Sequence, residues 1–143
     1  MTADLDYRLA EPRYKSYGEG RIAAVLDQYG VPYRYERPLL VIDRNRERIW
    51  YPDYWLPDAS VAVEYFGLAG QPEYDRMSDH KTRVYAANGI GMLPVLREHL
   101  GRDLPDYLMG GIERILQNRY DRFHTAYHRQ GSRSAYARGY HPR

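Results

Sequence analysis

The sequence YPDYWLPDASVAVEYFGLAGQPEYDRMSDHKTRVY, residues 51–85, decides the fold that we predict for this chain. Tyr51–Leu56 is short and rich in aromatic residues, which is typical of a β-strand. Val61–Phe66 is apolar on both of its alternating faces, apart from one glutamate, which predicts a central strand covered on two sides. The turn-rich residues PDAS between the two strands predict a hairpin that brings Asp53 and Glu64 close together.

Glu64 and Lys81 are the most informative charges in this stretch. A carboxylate inside an apolar strand is costly unless a partner or a ligand accompanies it. The chain has 21 basic residues, of which only Lys15 and Lys81 are lysines, and a lysine supplies a compact ammonium whose pKa the protein can adjust. Helical spacing places Lys81 on one stripe with Met77 and Val84, facing the sheet. Lys81 is therefore a snorkelling side chain, a structural ion pair or a catalytic group.

Composition and length predict a single soluble domain. A chain of 143 residues with 43% hydrophobic and 28% charged residues is ordinary for a globular protein. The absence of cysteine excludes disulfides, thiolate zinc sites and a cysteine nucleophile. No apolar run approaches the roughly 20 residues of a membrane span, and the N-terminus lacks the apolar segment of a signal peptide. We therefore expect a cytoplasmic protein without a membrane partner.

Charge is distributed unevenly along the chain. The net charge is +2, and the segment from Arg119 to Arg143 contains six arginines and one acid, so it carries +5 while the rest carries −3. Such a segment favours a polyanionic partner, although a solvated terminal tail has the same composition. The chain also has 16 tyrosines. Those interleaved with arginines in this segment favour either base stacking with phosphate contacts or a subunit interface.

A helix is predicted near the start of the chain, after an arm formed by residues 1–15. Ser16 and Glu19 match a capping box, with Ser16 as the N-cap and Glu19 as the third helical residue. The helix then runs to about Tyr29 and ends at Gly30. Glu19 also heads the apolar stripe of this helix. It is therefore a helix cap, a member of a functional site, or both.

The elements around the central stretch complete a predicted α/β order. Val31–Arg37 predicts a strand, and the apolar residues Leu39–Ile42 lead into a charged hairpin tip. Glu73–Asn88 predicts a helix, and Ile90–Leu96 predicts another strand. Strand, helix and strand then form a parallel crossover, which places a mixed sheet between helices.

The C-terminal part is predicted to be helical and then irregular. Pro105–His128 has the apolar spacing of a long helix, in which Gly110 and Gly111 mark either a kink or a close contact. Residues 129–143 are basic and predict a flexible tail.

The acids and the lysine together predict a metal site. Acids at a strand start, in the neighbouring strand and on the preceding helix, beside an inward lysine, form an oxygen-rich site suited to Mg²⁺ or Mn²⁺. A bound cation activates water and offsets charge on a phosphoryl group, while a lysine orients the water or neutralises the phosphate. We therefore expect phosphodiester hydrolysis by in-line attack of water, leaving 5′-phosphate and 3′-hydroxyl ends.

Pro52-Asp53, the sequence VEYFG around Glu64, and Lys81 together resemble the PD-(D/E)xK nuclease superfamily. The resemblance covers about Ser16 to Leu96. It implies a restriction-endonuclease-like α/β core of helix, three-stranded meander, helix and strand. One departure from the pattern is present, because the usual E-x-K places lysine at position 66, where this sequence has phenylalanine. In some branches the lysine moves to the following helix, where Lys81 lies.

A small chain with a glutamate on the first helix resembles, within this superfamily, the archaeal-type Holliday junction resolvases. That resemblance implies a homodimer that cuts branched DNA in recombination and repair, with Mg²⁺ as the cofactor and Mn²⁺ as a substitute. Asp53, Glu64 and the backbone carbonyl of Tyr65 would hold the metal, and Glu19 and Lys81 would complete the catalytic set. The expected DNA-binding residues are Arg119, Arg122, Arg129, Arg133, Tyr136 and Arg138.

The expected organisation is one nuclease domain over residues 1–143, with a core at 16–96, a C-terminal helix at 105–128 and a tail at 129–143. We expect it in the cytoplasm near the nucleoid, or in the host cytoplasm if a virus encodes it. Two alternatives stay open. One is a nicking or mismatch-repair-like endonuclease of the same fold, and the other is a DNA-binding module with an inactive site.

Overall fold

The computed structural model describes residues 14–68 and 70–137, with side chains in the last helix described up to Arg129. Helices and strands alternate along the chain much as the sequence predicts. The elements are helix α1 (Tyr17–Gln28), strands β1 (Arg34–Tyr35), β2 (Leu39–Asp43), β3 (Arg46–Trp50), β4 (Tyr54–Leu56) and β5 (Val61–Phe66), helix α2 (Pro72–Ala87), strand β6 (Gly91–Leu96), a 3₁₀ turn (Arg97–Leu100) and helix α3 (Leu104–Ala137).

The main sheet has four strands in the order β1-β4-β5-β6. Strand β4 pairs antiparallel with both β1 and β5, whereas β5 pairs parallel with β6 from Val61 opposite Gly91 to Phe66 opposite Leu96. The predicted hairpin and the parallel crossover through α2 are therefore both present. Strand β5 lies inside the sheet and is buried at every position but Tyr65.

Both faces of β5 are covered, because successive side chains of a strand point to opposite sides. On one face, Val61 and Val63 join a core cluster with residues of α1 and α3. On the other face, Ala62 packs with Val41 of β2 and with Tyr85 of α2. The two-sided burial of the alternating apolar run confirms the central strand.

Strands β2 and β3 form a separate antiparallel hairpin, not a part of the main sheet. The predicted three-stranded meander is formed by β1, β4 and β5, and this hairpin is inserted between its first two strands. The hairpin is attached to α2 through Asn88, whose side chain accepts a hydrogen bond from the Ile42 N–H (2.8 Å) and donates one to the Ile42 carbonyl (2.9 Å). His80 of α2 also lies 2.9 Å from the Asp43 carboxylate.

Three predicted details differ from the structure. The strand predicted from Val31 keeps only Arg34–Tyr35, since Glu36 has a positive φ of 51° that turns the chain out of the ladder. The strand predicted from Tyr51 begins at Tyr54, because proline 52 has no N–H to donate. Met77 was expected to face the sheet, but it is 54% exposed, because the buried side chains of α2, Val84 and Tyr85, lie two turns later.

Helix α3 continues to Ala137, so its predicted end at His128 is wrong. Residues 129–137 of the predicted flexible tail are helical instead. The segment 129–137 contains no proline to end the helix. Residues 138–143 and most of the predicted arm, residues 1–13, lie outside the described residues. None of the described helices has both the length and the apolar composition needed to cross a membrane.

Gly111 is the point at which α3 packs against the sheet, so the two glycines mark a close contact. A Cβ atom on Gly111 would lie 2.6 Å from Cδ1 of Leu93 in β6, whereas a Cβ on Gly110 would meet nothing within 4 Å. Leu93 is buried. Gly111 therefore contacts the core and Gly110 does not, so the two neighbouring glycines can be compared directly.

We predict opposite effects of alanine at these two positions. Gly110→Ala should raise the free energy of unfolding by about 1 kcal/mol, because alanine favours a helix interior over glycine. Gly111→Ala gains the same helix propensity but overpacks Leu93, which costs roughly 1–3 kcal/mol, so it should be the less stable variant. Urea denaturation of both variants measures the difference. Equal stabilities would mean that Leu93 moves aside without cost.

Candidate active site

Asp53 lies immediately before β4, where the hairpin with β5 begins. Its Oδ2 accepts a hydrogen bond of 2.7 Å from the backbone N–H of Tyr65. Tyr54 pairs with Val63 in the ladder, so the same antiparallel register carries Asp53 to the level of Glu64. The hairpin thus brings the two acids together as the sequence predicts.

Glu64 is a buried carboxylate, 2% exposed, in the middle of β5. Its Oε1 accepts hydrogen bonds from Lys81 Nζ at 3.1 Å and from the Tyr85 hydroxyl at 2.8 Å. Lys81 and Tyr85 are four residues apart on α2 and therefore project from the same side of that helix. The ammonium offsets the cost of burying the charge of Glu64. Lys81 is thus an inward ion pair, not a snorkelling side chain.

The pKa of Asp53 is raised from its ordinary 3.8 to about 7. Burial is the main cause, because it disfavours the ionised form, and the negative charge of Glu64 is the second. Glu19 raises the pKa further, while the Tyr65 N–H and the Lys81 charge lower it. Near neutral pH, Asp53 is therefore poised between its neutral and ionised forms, unlike an ordinary aspartate.

Glu19 is buried at the first turn of α1 and has the capping role. The Ser16 hydroxyl accepts from the Glu19 N–H at 3.1 Å and donates to Glu19 Oε2 at 2.7 Å. The Tyr35 hydroxyl donates to Glu19 Oε1 at 3.1 Å. Glu19 also lines the same cavity as Asp53. The two roles that the sequence left open for Glu19 are therefore compatible.

This cavity is an open groove of about 720 Å³ between α1, the start of α2 and the end of β6. Besides the two acids, its lining includes Tyr65 and three residues that sequence reasoning missed, which are Lys15, Tyr74 and Arg97. Lys15 pairs with Glu36 at 2.7 Å on the rim. Arg97 follows directly on β6, at the carboxyl end of two parallel strands, where ligands of open α/β sheets bind. The position of Arg97 directly after a predicted parallel strand could therefore have identified it from the sequence.

Two glycines hold the ring of Tyr65 in this groove. A Cβ on Gly67 would lie 2.9 Å from the Tyr65 ring, and one on Gly18 would collide with the same ring. The ring therefore rests against bare backbone on both sides. Because the N–H of Tyr65 binds Asp53, this packing also fixes the position of the acid.

Comparison with solved structures identifies one domain of similar architecture. The catalytic domain of the homing endonuclease I-Bth0305I is similar to this chain, with a TM-score of 0.51 and 17% sequence identity over 73% of this chain and 97% of that domain. The two share a fold. The predicted restriction-endonuclease-like α/β core, with a mixed central sheet, flanking helices and an added C-terminal helix, is therefore confirmed. No protein-family model matches the sequence, and no curated protein is a significant match.

The predicted DNA-binding residues from Arg119 to Tyr136 belong to α3. Arg119 donates to the backbone carbonyls of Ala59 and Ser60, so its guanidinium ties α3 to the turn of the β4–β5 hairpin. Arg122 and Arg129 are exposed. The side chains of Arg133 and Tyr136, and the whole of Arg138, lie outside the described residues.

The predicted metal ligands are two acids, Asp53 and Glu64, and the backbone carbonyl of Tyr65. Within residues 14–68 and 70–137, no group of three or more histidine, aspartate and glutamate side chains is placed to hold a metal ion. Glu19 falls outside because Ser16 and Tyr35 bind its two oxygens. Asp53 and Glu64 nevertheless fit a divalent cation, since the charge of Glu64 raises the pKa of Asp53 and a cation would relieve that repulsion. Mg²⁺ often uses only one or two carboxylates, with waters as its other ligands.

We predict that the stability of the metal-free protein falls as pH rises. The pKa of Asp53 is higher in the folded state, about 7, than in the unfolded chain, so the folded state binds the extra proton. The resulting stabilisation is complete below about pH 4 and is lost as pH rises through 7. A pKa difference of this size corresponds to up to about 4 kcal/mol.

Asp53→Asn isolates this effect, because asparagine keeps an acceptor for the Tyr65 N–H but has no charge. The variant should match the wild type near pH 3 and exceed its free energy of unfolding by about 2–4 kcal/mol at pH 8. Urea denaturation without metal, at several pH values, measures the gap. Asp79→Asn, exposed on α2, is the control and should show no such gap. A gap for Asp53→Asn that does not change with pH would contradict the raised pKa.

Proposed function

We propose that this protein is a Mg²⁺-dependent, structure-specific DNA endonuclease, with the four-way junction as its preferred substrate. The observation that carries the proposal is the pair of acids, buried Glu64 and half-buried Asp53, with Lys81 hydrogen-bonded to Glu64. This arrangement occurs on a fold shared with a nuclease catalytic domain. The fold supports a nuclease, and the acids and the lysine supply chemistry suited to phosphodiester hydrolysis.

The side chains have distinct roles in this proposal. Asp53, Glu64 and the Tyr65 carbonyl hold the cation, which supplies a Lewis acid that activates water and offsets phosphate charge. Lys81 and Tyr85 fix the Glu64 carboxylate by donating to one of its oxygens, which leaves the other for a ligand. The ammonium of Lys81 also stabilises negative charge that develops on the phosphate. Glu19 positions α1 and adds negative charge to the groove.

The cations on the rim of the groove support a nucleic-acid substrate. Lys15 and Arg97 line the same groove as Asp53, so a phosphate backbone in the groove would meet a positive charge on each side of the acids. Phosphate contacts of this kind position a substrate without reading its sequence. The resemblance of this small chain, with Glu19 on its first helix, to junction resolvases favours branched DNA, cut by a homodimer in the cytoplasm near the nucleoid.

We predict that cleavage depends on the two acids and the lysine. With Mg²⁺ or Mn²⁺, the wild type should make paired, symmetric cuts in a labelled four-way junction. Asp53→Asn and Glu64→Gln should lower the rate by about 10³-fold, as expected from losing several kcal/mol of charge stabilisation. Lys81→Met should lower it by about 10²-fold. Arg83→Ala and Asp79→Asn, exposed on the same helix, are controls and should cleave normally.

The substrate panel separates the alternatives. Cleavage of mismatched or linear duplexes in preference to the junction would favour the nicking or mismatch-repair-like nuclease. Binding without cleavage of any substrate, with either ion, would favour a module with an inactive site. Full activity of Asp53→Asn would remove Asp53 from the site.

Arg97 should contribute to substrate binding more than to the chemical step. Arg97→Ala should weaken DNA binding and flatten its salt dependence, because each lost phosphate contact lowers the slope of log K against log salt by about one. Arg102→Ala is the matched control, since Arg102 is exposed but does not line the groove. Binding titrations in Ca²⁺, at several salt concentrations, measure both slopes. Identical slopes for the two variants would exclude a contact from Arg97.

A further inference from the structure

The outer half of α3 carries an exposed apolar stripe that nothing in the site uses. All residues from Tyr120 to Arg129 are exposed, so this part of the helix projects away from the hydrophobic core. Four apolar side chains follow one another along it at intervals of four, three and four residues, which is the spacing of a coiled-coil seam. We call them the α3 seam: Leu116 (40% exposed), Tyr120 (60%), Phe123 (71%) and Tyr127 (67%).

Most arginines of α3 lie away from this seam, whereas Glu113 and His124 lie about 50° and 70° from its centre. At about 100° per residue, the four side chains fall within an arc of roughly 60°. The flanking residues Gln117 and Ala126 are uncharged, whereas Arg114, Arg122 and Arg129 lie more than about 120° from the centre of the arc. Arg119 is nearer, but its guanidinium binds backbone carbonyls of the body.

This separation decides between the two partners that the sequence left open for the tyrosines. Base stacking needs cations beside the aromatic rings to contact the phosphates. On α3 the tyrosines and the arginines alternate in sequence but project from different sides of the helix. An apolar seam whose arginines lie elsewhere on the helix instead suits a matching apolar surface, and a second copy of the chain supplies an identical one.

The seam is large enough for a modest dimer. An aromatic side chain buries about 150–250 Å², so three of them at their observed exposure offer roughly 400 Å², and Leu116 adds to this. Two copies would therefore bury about 1,000 Å² in total, which is the lower bound for a specific interface. A groove of about 490 Å³ continues the seam at its N-terminal end and has room for a partner side chain. Its lining includes Met109, Ile112 and Leu116.

We propose that the α3 seam is a dimer interface in which two copies of α3 pack antiparallel. In that arrangement the partner's Tyr127 enters the groove beside Leu116, and the two bodies lie at opposite ends of the helix pair. The next two positions at seam spacing are Gln130 and Ser134, which are polar, so the apolar seam ends at Tyr127. The dimer does not depend on nuclease activity, so either property can fail without the other.

Phe123→Glu and Thr125→Glu test the interface, because both residues are exposed and only Phe123 lies in the seam. Sedimentation equilibrium of the wild type should show a reversible dimer, twice the 16.9 kDa of the chain. Thr125→Glu should behave in the same way, whereas Phe123→Glu should weaken dimerisation at least about 100-fold, as loss of a central aromatic residue does. An unchanged urea midpoint would show that Phe123→Glu is folded.

Cysteine cross-linking tests the orientation, because the chain has no cysteine of its own. A 1:1 mixture of Leu116→Cys and Tyr127→Cys should form a mixed disulfide dimer, while either variant alone should not. Cross-linking within each variant alone would show a parallel pair and overturn the antiparallel arrangement. A wild type that stays monomeric would overturn the dimer. If DNA affinity then fell with Phe123→Glu but not with Thr125→Glu, the seam would be a nucleic-acid surface.

Discussion

The burial of one carboxylate in the central strand constrains most of this structure. Glu64 is 2% exposed, and a charge in that position is tolerated only with donors close by. Both donors, Lys81 and Tyr85, come from α2, so this helix must lie across β5 at a fixed height and rotation. The ring of Tyr85 in turn meets Trp50 of the small hairpin edge to face, with centroids 5.4 Å apart. A single acid thus positions a helix, and the helix positions a hairpin.

The two acids of the site are held in unequal ways. Glu64 has a cation and a hydroxyl on one of its oxygens, whereas Asp53 has one backbone N–H and two acidic neighbours, and its pKa rises to about 7. The metal-free protein therefore carries an electrostatic cost at Asp53 that is removed by a proton or by a divalent cation. Such a cost is typical of functional sites, where binding is favoured at the expense of stability.

Local patterns in the sequence predicted the parts of the fold that local physics controls. Alternation identified β5, turn residues identified its hairpin with β4, and helical spacing directed Lys81 inward. The same patterns do not specify partners. The apolar residues of β2 gave no sign that its hairpin would leave the main sheet, and the stripe on α2 did not show that Met77 lies beyond the packed turn. Arg97 and Lys15 reach the groove through contacts between residues distant in sequence. A shared fold carries no information about the substrate.

Asn88 has a further consequence for the behaviour of the protein at high concentration. Strand β2 is an edge strand with exposed Leu40 and Ile42, and an open apolar edge is a template on which strands of other molecules add. The Asn88 amide occupies both the N–H and the carbonyl of Ile42, imitating one rung of a neighbouring strand. One side chain at the end of a helix thereby closes the edge at that rung to another molecule and protects the chain from aggregation.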